Sequence, residues 1–193
     1  MPKELLQIMK EKAESVQAAV SQVHDLEDAF RYATELTLSK SVSGPVPNFG
    51  GGTIAAPGLS HNELNILQKQ CDARGIHRLR PPLRIHMGDI HTAITFADWG
   101  IAETGTLVLD STSEDIRICT MLAEIHVAIL PISKIRPDVM SLEKELDALQ
   151  KSAPRYLAFI SGPSRTADIE RVMTIGVHGP GELHILLTEE NEL

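Results

Sequence analysis

His126-Val127-Ala128-Ile129-Leu130 is the stretch that decides the fold. An apolar run without alternation describes a strand covered on both faces, the habit of parallel sheets rather than of half-solvated hairpins. Working outward, strand and helix patterns alternate. Thr92–Phe96 and Thr104–Leu109 read as strands, and Ser113 can cap a short helix carrying Ile116, Cys119 and Leu122. Downstream, Asp138 caps a helix with Val139, Leu142, Leu146 and Leu149 on one side and Pro154 beyond its end. Arg155–Ile160 reads as another buried strand and Glu182–Leu187 as the last. Upstream, the short strand Thr53–Pro57 precedes a helix opened by a Ser60/Glu63 capping box, striped by Leu64, Leu67 and Cys71, and ended by Gly75. The expectation is an α/β fold of three layers, a largely parallel sheet with helices on both faces.

The N-terminal part reads differently. Leu5, Met9, Ala13, Val16, Val20, Val23, Leu26 and Phe30 recur three or four apart, which predicts one long N-terminal helix over residues 3–33. Its stripe favours packing on the body of the domain over service as a dimerisation or partner helix. Residues 40–52 are a Gly/Pro loop by composition. A phosphate loop would follow a strand and open a helix, whereas here a strand comes next, so a connector is favoured. No internal repeat or second boundary is visible, and residues 1–193 are expected to form one domain.

Bulk composition removes several function classes. With 42% hydrophobic residues, a chain of 193 residues can bury a sizeable core. A formal charge of -8, no basic run and 4% aromatics disfavour nucleic-acid binding. No signal-peptide core or membrane-length apolar run occurs, so a cytoplasmic address without membrane insertion is expected. Cys71 and Cys119 are too few for a disulfide framework, a zinc site or an iron–sulfur site built from this chain alone. Assembly with further copies of the chain is left open.

Three segments could carry chemistry. Ala97–Thr106 sets the single tryptophan, Asp98, Glu103, Thr104 and Thr106 around Gly100 and Gly105. Its carboxylate and hydroxyls either act on a ligand or satisfy turn amides. Ser161–Glu170 follows the strand ending at Ile160, where a parallel sheet binds ligands and a helix start favours anions. Ser164, Arg165 and Thr166 then form an anion site; otherwise Ser164 is a cap and Arg165 pairs with Asp168 or Glu170. His178, in Gly176–Gly181, could serve as acid, base or ligand, or donate to a backbone carbonyl. His86, Asp89 and His91 could in principle hold a metal, but the spacing matches no fixed zinc signature and no metal is expected.

Gly100-Ile101-Ala102-Glu103-Thr104-Gly105-Thr106, Gly162–Glu170 and Gly176–Pro180, in this order, resemble the lactate utilization protein C family, whose module is the LUD domain. The resemblance is firm from about residue 92 onward. Glu103 stands where the family often has aspartate, and Leu122–Ile125 lacks the family's usual leucine–proline step before the strand histidine. Arg117 matches a frequent family arginine. The resemblance implies a fold similar to the NagB/RpiA/CoA-transferase group. It also implies a part in oxidising lactate to pyruvate beside partner proteins that carry the iron–sulfur clusters, with no cofactor in this chain. Two functions follow: a non-redox accessory subunit binding a small anionic ligand, or an independent enzyme on a phosphorylated or CoA-linked substrate. In the second, Glu103 and His178 would be catalytic, with Thr104, Gly105, Thr106, Ser164, Arg165, Thr166 and Arg117 as anion-binding residues.

Overall fold

The computed structural model describes residues 3–41, 52–152, 155–165 and 179–189. The segment holding Thr166 and His178, and most of the Gly/Pro loop, lie outside the described residues.

Among the described residues, ten strands form two sheets. The larger contains β1 (Ala19–Val23), β2 (Thr53–Ala55), β3 (His77–Leu79), β4 (Thr92–Phe96), β7 (Ile125–Pro131) and β10 (Glu182–Thr188). All its neighbours are parallel, in the order β1-β10-β7-β4-β2-β3. Every residue of β7 is buried, which is why its sequence shows no polar alternation. The smaller sheet orders β8 (Ile135–Arg136), β5 (Trp99–Ile101), β6 (Thr106–Asp110) and β9 (Leu157–Ile160), with β6 antiparallel to both neighbours.

The helices are α1 (Lys3–Ser15), α2 (Leu26–Ser41), α3 (His61–Arg74), α4 (Glu114–Leu122) and α5 (Glu143–Ser152). On one face of the parallel sheet, Phe30 of α2 and Leu67 of α3 pack with Ile54, Ile94, Val127 and Ile129. On the other, Met9 and Ala13 of α1 join Leu107 and Leu109 of the smaller sheet over Ala128, Leu130 and Ile185. Ile118 and Cys119 of α4 cover Ala55 and Ala93 on that same side. The outcome is the expected α/β layering around a parallel sheet. Among the described residues no helix is long and apolar enough to cross a membrane.

The single N-terminal helix expected over 3–33 is corrected to helix, strand, helix. The first helix stops after Ser15, Gln17 takes a left-handed φ of 70°, and Ala19–Val23 runs as a strand along β10. Asp25 restarts the helix by accepting the Asp28 amide at 2.8 Å. Val20 and Val23 happened to keep the helical spacing across both breaks, while their branched side chains suit a strand. The strand at 155–160 is also corrected: β9 is an edge strand of the smaller sheet, with Phe159 half exposed, not a buried strand of a parallel sheet.

The parallel sheet has a topological switch point. After β2 the chain crosses through α3 on one face; after β4 it returns to β7 through the smaller sheet and α4 on the other. The carboxyl ends of β2 and β4 therefore diverge and leave a crevice.

Candidate functional site: two clefts joined through Thr95 and His126

The first cleft, of about 260 Å³, opens where the loop after β9 meets the amino ends of β7 and β10. Ser161, Gly162, Pro163 and Ser164 form one wall, Gly179, Pro180 and Leu183 another, and Thr120 and Met121 of α4 a third. The Ser164 amide donates to the Pro180 carbonyl at 2.8 Å, fastening the loop to the lead of β10. Sequence reasoning set Ser164 at the carboxyl end of a parallel strand. Because β9 belongs to the mixed sheet, this cleft lies instead at the amino ends of the parallel strands.

Two of the sequence motifs meet here through hydroxyls. Thr104 Oγ1 lies 2.7 Å from Thr106 Oγ1, which lies 2.6 Å from Ser161 Oγ, so a chain of three hydroxyls runs from the β5–β6 turn into the cleft wall. Gly105 and Gly162 serve packing: both are left-handed, at φ 64° and 77°. A Cβ at Gly105 would press on the backbone of Lys12 and Ala13, and one at Gly162 on the Val16 carbonyl. The end of α1 is thus gripped by both glycine turns, which ties the N-terminal segment to the cleft.

At the cleft, His126 contributes an imidazole that is 1% exposed. Its Nε2 lies 2.8 Å from Thr95 Oγ1, on the neighbouring strand. Burial pushes the His126 pKa down to about 4, so the ring is neutral at physiological pH. No reading of isolated motifs selects this residue. The signal was a histidine inside a strand that is otherwise wholly apolar.

The second cleft, of about 310 Å³, occupies the switch point at the carboxyl ends of β2 and β4. It is lined by Pro57, Gly58, Thr95, Phe96, Asp98, Asp110, Thr112, Ser113 and Ile116, and the amino end of α4 faces it. Asp98 accepts the Asp110 amide at 2.6 Å, and burial raises its pKa. Burial works against the charge of Asp110 too, but hydrogen bonds from Thr112 and its ion pair with Arg155 hold its pKa below the ordinary value. Thr95 lines this cleft and His126 the other, so one hydrogen bond joins the two walls.

The remaining sequence candidates fall elsewhere. Glu103 is exposed, its amide donating to the Pro137 carbonyl at 3.0 Å, and its side chain lines neither cleft. Arg165 is exposed one residue beyond Ser164. Arg117 is half-buried: its guanidinium donates to the Ser111 and Thr112 carbonyls at 2.7 Å each and lies 5.2 Å from the centre of the exposed Tyr156 ring. His86 ends a short 3₁₀ turn, while His91 is buried and accepts the Thr53 amide at 3.1 Å. Among the described residues no three His, Cys, Asp or Glu side chains are grouped to hold a metal.

A family model described as the LUD domain matches residues 6–188. The chain belongs to the LUD domain family. The chain is 39% identical over 100 residues to lactate utilization protein C of Halalkalibacterium halodurans, a match taking in 50% of this chain and 44% of that protein. It is 32% identical over 133 residues to the uncharacterized protein YkgG of Escherichia coli, covering 64% and 55%. Lactate utilization protein C of Shouchella clausii is 28% identical over 92% of this chain and 76% of its own length. The chain spans about half the length of the first curated relatives it matches. Its fold is similar to the crystal structure of a DUF162 family protein from Deinococcus radiodurans, with a TM-score of 0.64, 19% identity and 96% of each chain covered.

Proposed function

We propose that this LUD domain serves lactate utilization in the cytoplasm. In this reading it is a non-redox component of an assembly whose iron–sulfur clusters sit in other proteins, and it binds a small carboxylate. The observation that carries the reading is the LUD match over residues 6–188, together with relatives named for lactate utilization.

The residues support the non-redox part. Iron–sulfur clusters take four protein ligands, chiefly thiolates. Cys71 and Cys119 are both buried, the first carried by α3 on one face of the parallel sheet and the second by α4 on the opposite face. Burial pushes their thiols up to about 11 and about 12, so neither is poised as a thiolate. A small-carboxylate role suits the first cleft, whose lining includes Ser161, Ser164 and the neutral His126, with Arg165 next in the chain. A phosphorylated or CoA-linked substrate asks for cationic lining, and the described residues of that cleft supply hydroxyls instead.

Deletion of the gene, followed by growth on L-lactate as sole carbon source, tests the reading. Growth on lactate is lost, growth on glucose is kept, and the intact gene restores the first. Co-purification then recovers proteins with the absorbance of iron–sulfur clusters. Undiminished growth on lactate would overturn the proposal.

A further inference from the structure

His126 is almost completely buried, and its Nδ1 has no hydrogen-bond partner among the described residues, whereas Nε2 is bonded to Thr95. A buried polar atom is costly to leave unmade, and nearly all of them find a partner. His126 is one of the residues that line the first cleft, and a molecule held there is a fitting partner for it.

We propose that the cleft is a binding site for a short-chain 2-hydroxy or 2-oxo acid, with the C2 oxygen at Nδ1 of His126 and the carboxylate toward the hydroxyls of Ser161 and Ser164. The assignment rests on the lactate reading for its physiological ligand, and on the cleft itself for its chemistry. Met121, Ile160 and Leu183 supply apolar surface for a short alkyl group. About 260 Å³ holds a small acid with room for ordered water. Ser161 ends the hydroxyl chain from Thr104 through Thr106. When each hydroxyl in that chain donates toward the cleft, the Ser161 proton is released to a ligand oxygen.

The Thr95–His126 pair adapts to both oxidation levels. A keto oxygen only accepts, so it needs a proton on Nδ1; Nε2 then accepts from the Thr95 hydroxyl. An alcohol can instead donate to a bare Nδ1, and Nε2 then donates to Thr95. The threonine hydroxyl can rotate to meet either tautomer. The ring stays neutral in both, consistent with its burial, so the change requires relocation of a proton rather than uptake of one. The pair therefore accepts either member of a hydroxy/oxo couple, and Thr95 is the positioning residue that allows it.

The test is NMR of the full chain labelled at the histidine ring nitrogens, with His126 assigned through His126→Gln. L-lactate and pyruvate are titrated in, with propionate, which lacks a C2 oxygen, as the comparison. The account expects saturable shifts of the His126 ring signals with both C2-oxygenated acids, and pyruvate driving Nδ1 to the protonated form. Propionate binds roughly tenfold more weakly or worse, the loss expected for an unmade hydrogen bond in a buried site. Ser164→Ala weakens both acids severalfold, while Thr95→Val fixes one tautomer and changes the lactate-to-pyruvate preference. His126 signals that ignore lactate and pyruvate at saturating concentration, or that respond equally to propionate, would overturn the site. If growth on lactate depends on the gene while the ring is silent, the site assignment alone falls. If the ring responds and growth is unaffected, the physiological role falls and the site stands.

Discussion

Gly105 rests on the backbone of Ala13 so closely that even a methyl group would enter the space of the Ala13 amide. Its left-handed φ of 64° adds a second reason for glycine. Gly105→Ala is expected to destabilise the protein by about 2–4 kcal/mol, combining steric overlap with backbone strain. Gly162→Ala acts on the same end of α1 through Val16, so the double variant should lose less than the two single losses added. Urea unfolding of the four proteins measures this. Strict additivity would show that the two turns do not share α1.

The burial of His126 makes stability depend on pH. Its folded-state pKa of about 4 lies below the 6.5 of the free side chain. Between those values the unfolded chain takes up a proton that the folded one refuses, so stability falls as pH drops from 6.5 toward 4. The loss attributable to this residue is at most roughly 3 kcal/mol. His126→Gln should flatten the profile in that window relative to the parent. Equal slopes in the two proteins would mean that the imidazole is not held neutral by burial.

Native thiols should be nearly inert. With the cysteines at about 11 and about 12, alkylation by iodoacetamide at pH 8 is expected to run roughly a hundredfold or more slower than in urea. Mass spectrometry of timed samples reads both sites. Rapid labelling of either one in the folded protein would contradict the structural role assigned to them.

Arg117 offers a discrimination between scaffold and ligand. Its two carbonyl bonds and its position over Tyr156 predict that Arg117→Ala costs about 1–3 kcal/mol, since it strands the Ser111 and Thr112 carbonyls and removes a cation–π contact. Arg117→Lys recovers only part, because an ammonium cannot reproduce the planar fork. Thermal unfolding measures both. Unchanged stability with lost ligand binding would return Arg117 to the anion-binding role that the sequence resemblance implied.

The sequence was most readable where local rules act alone. The Ser60/Glu63 capping box and the helix end at Gly75 are present as read, and the run from His126 marks a fully buried strand. The long N-terminal helix failed because spacing was preserved across a break that only the pairing of β1 with β10 reveals. Separation of the strands into two sheets was equally hidden, since Leu157–Ile160 carries an apolar composition that suits either a buried strand or an edge. At the first cleft, Thr104 and Thr106 bond in series to Ser161, which lines it together with Ser164. His126, the strand histidine of the resemblance, was left out of the site and Thr95 was missed, because the meaning of the pair arises from the register that sets β4 beside β7. Gly105 and Gly162, the left-handed glycines of two of the motifs, sit where the end of α1 approaches.

The most direct measurement is a crystal structure of the protein soaked with pyruvate. The keto oxygen should sit about 3 Å from Nδ1 of His126, hydrogen-bond distance, with the carboxylate on Ser161 and Ser164. Pyruvate seated instead at the switch point between β2 and β4, against Asp98 and Thr112, or a cleft still empty at saturating pyruvate, would contradict the account.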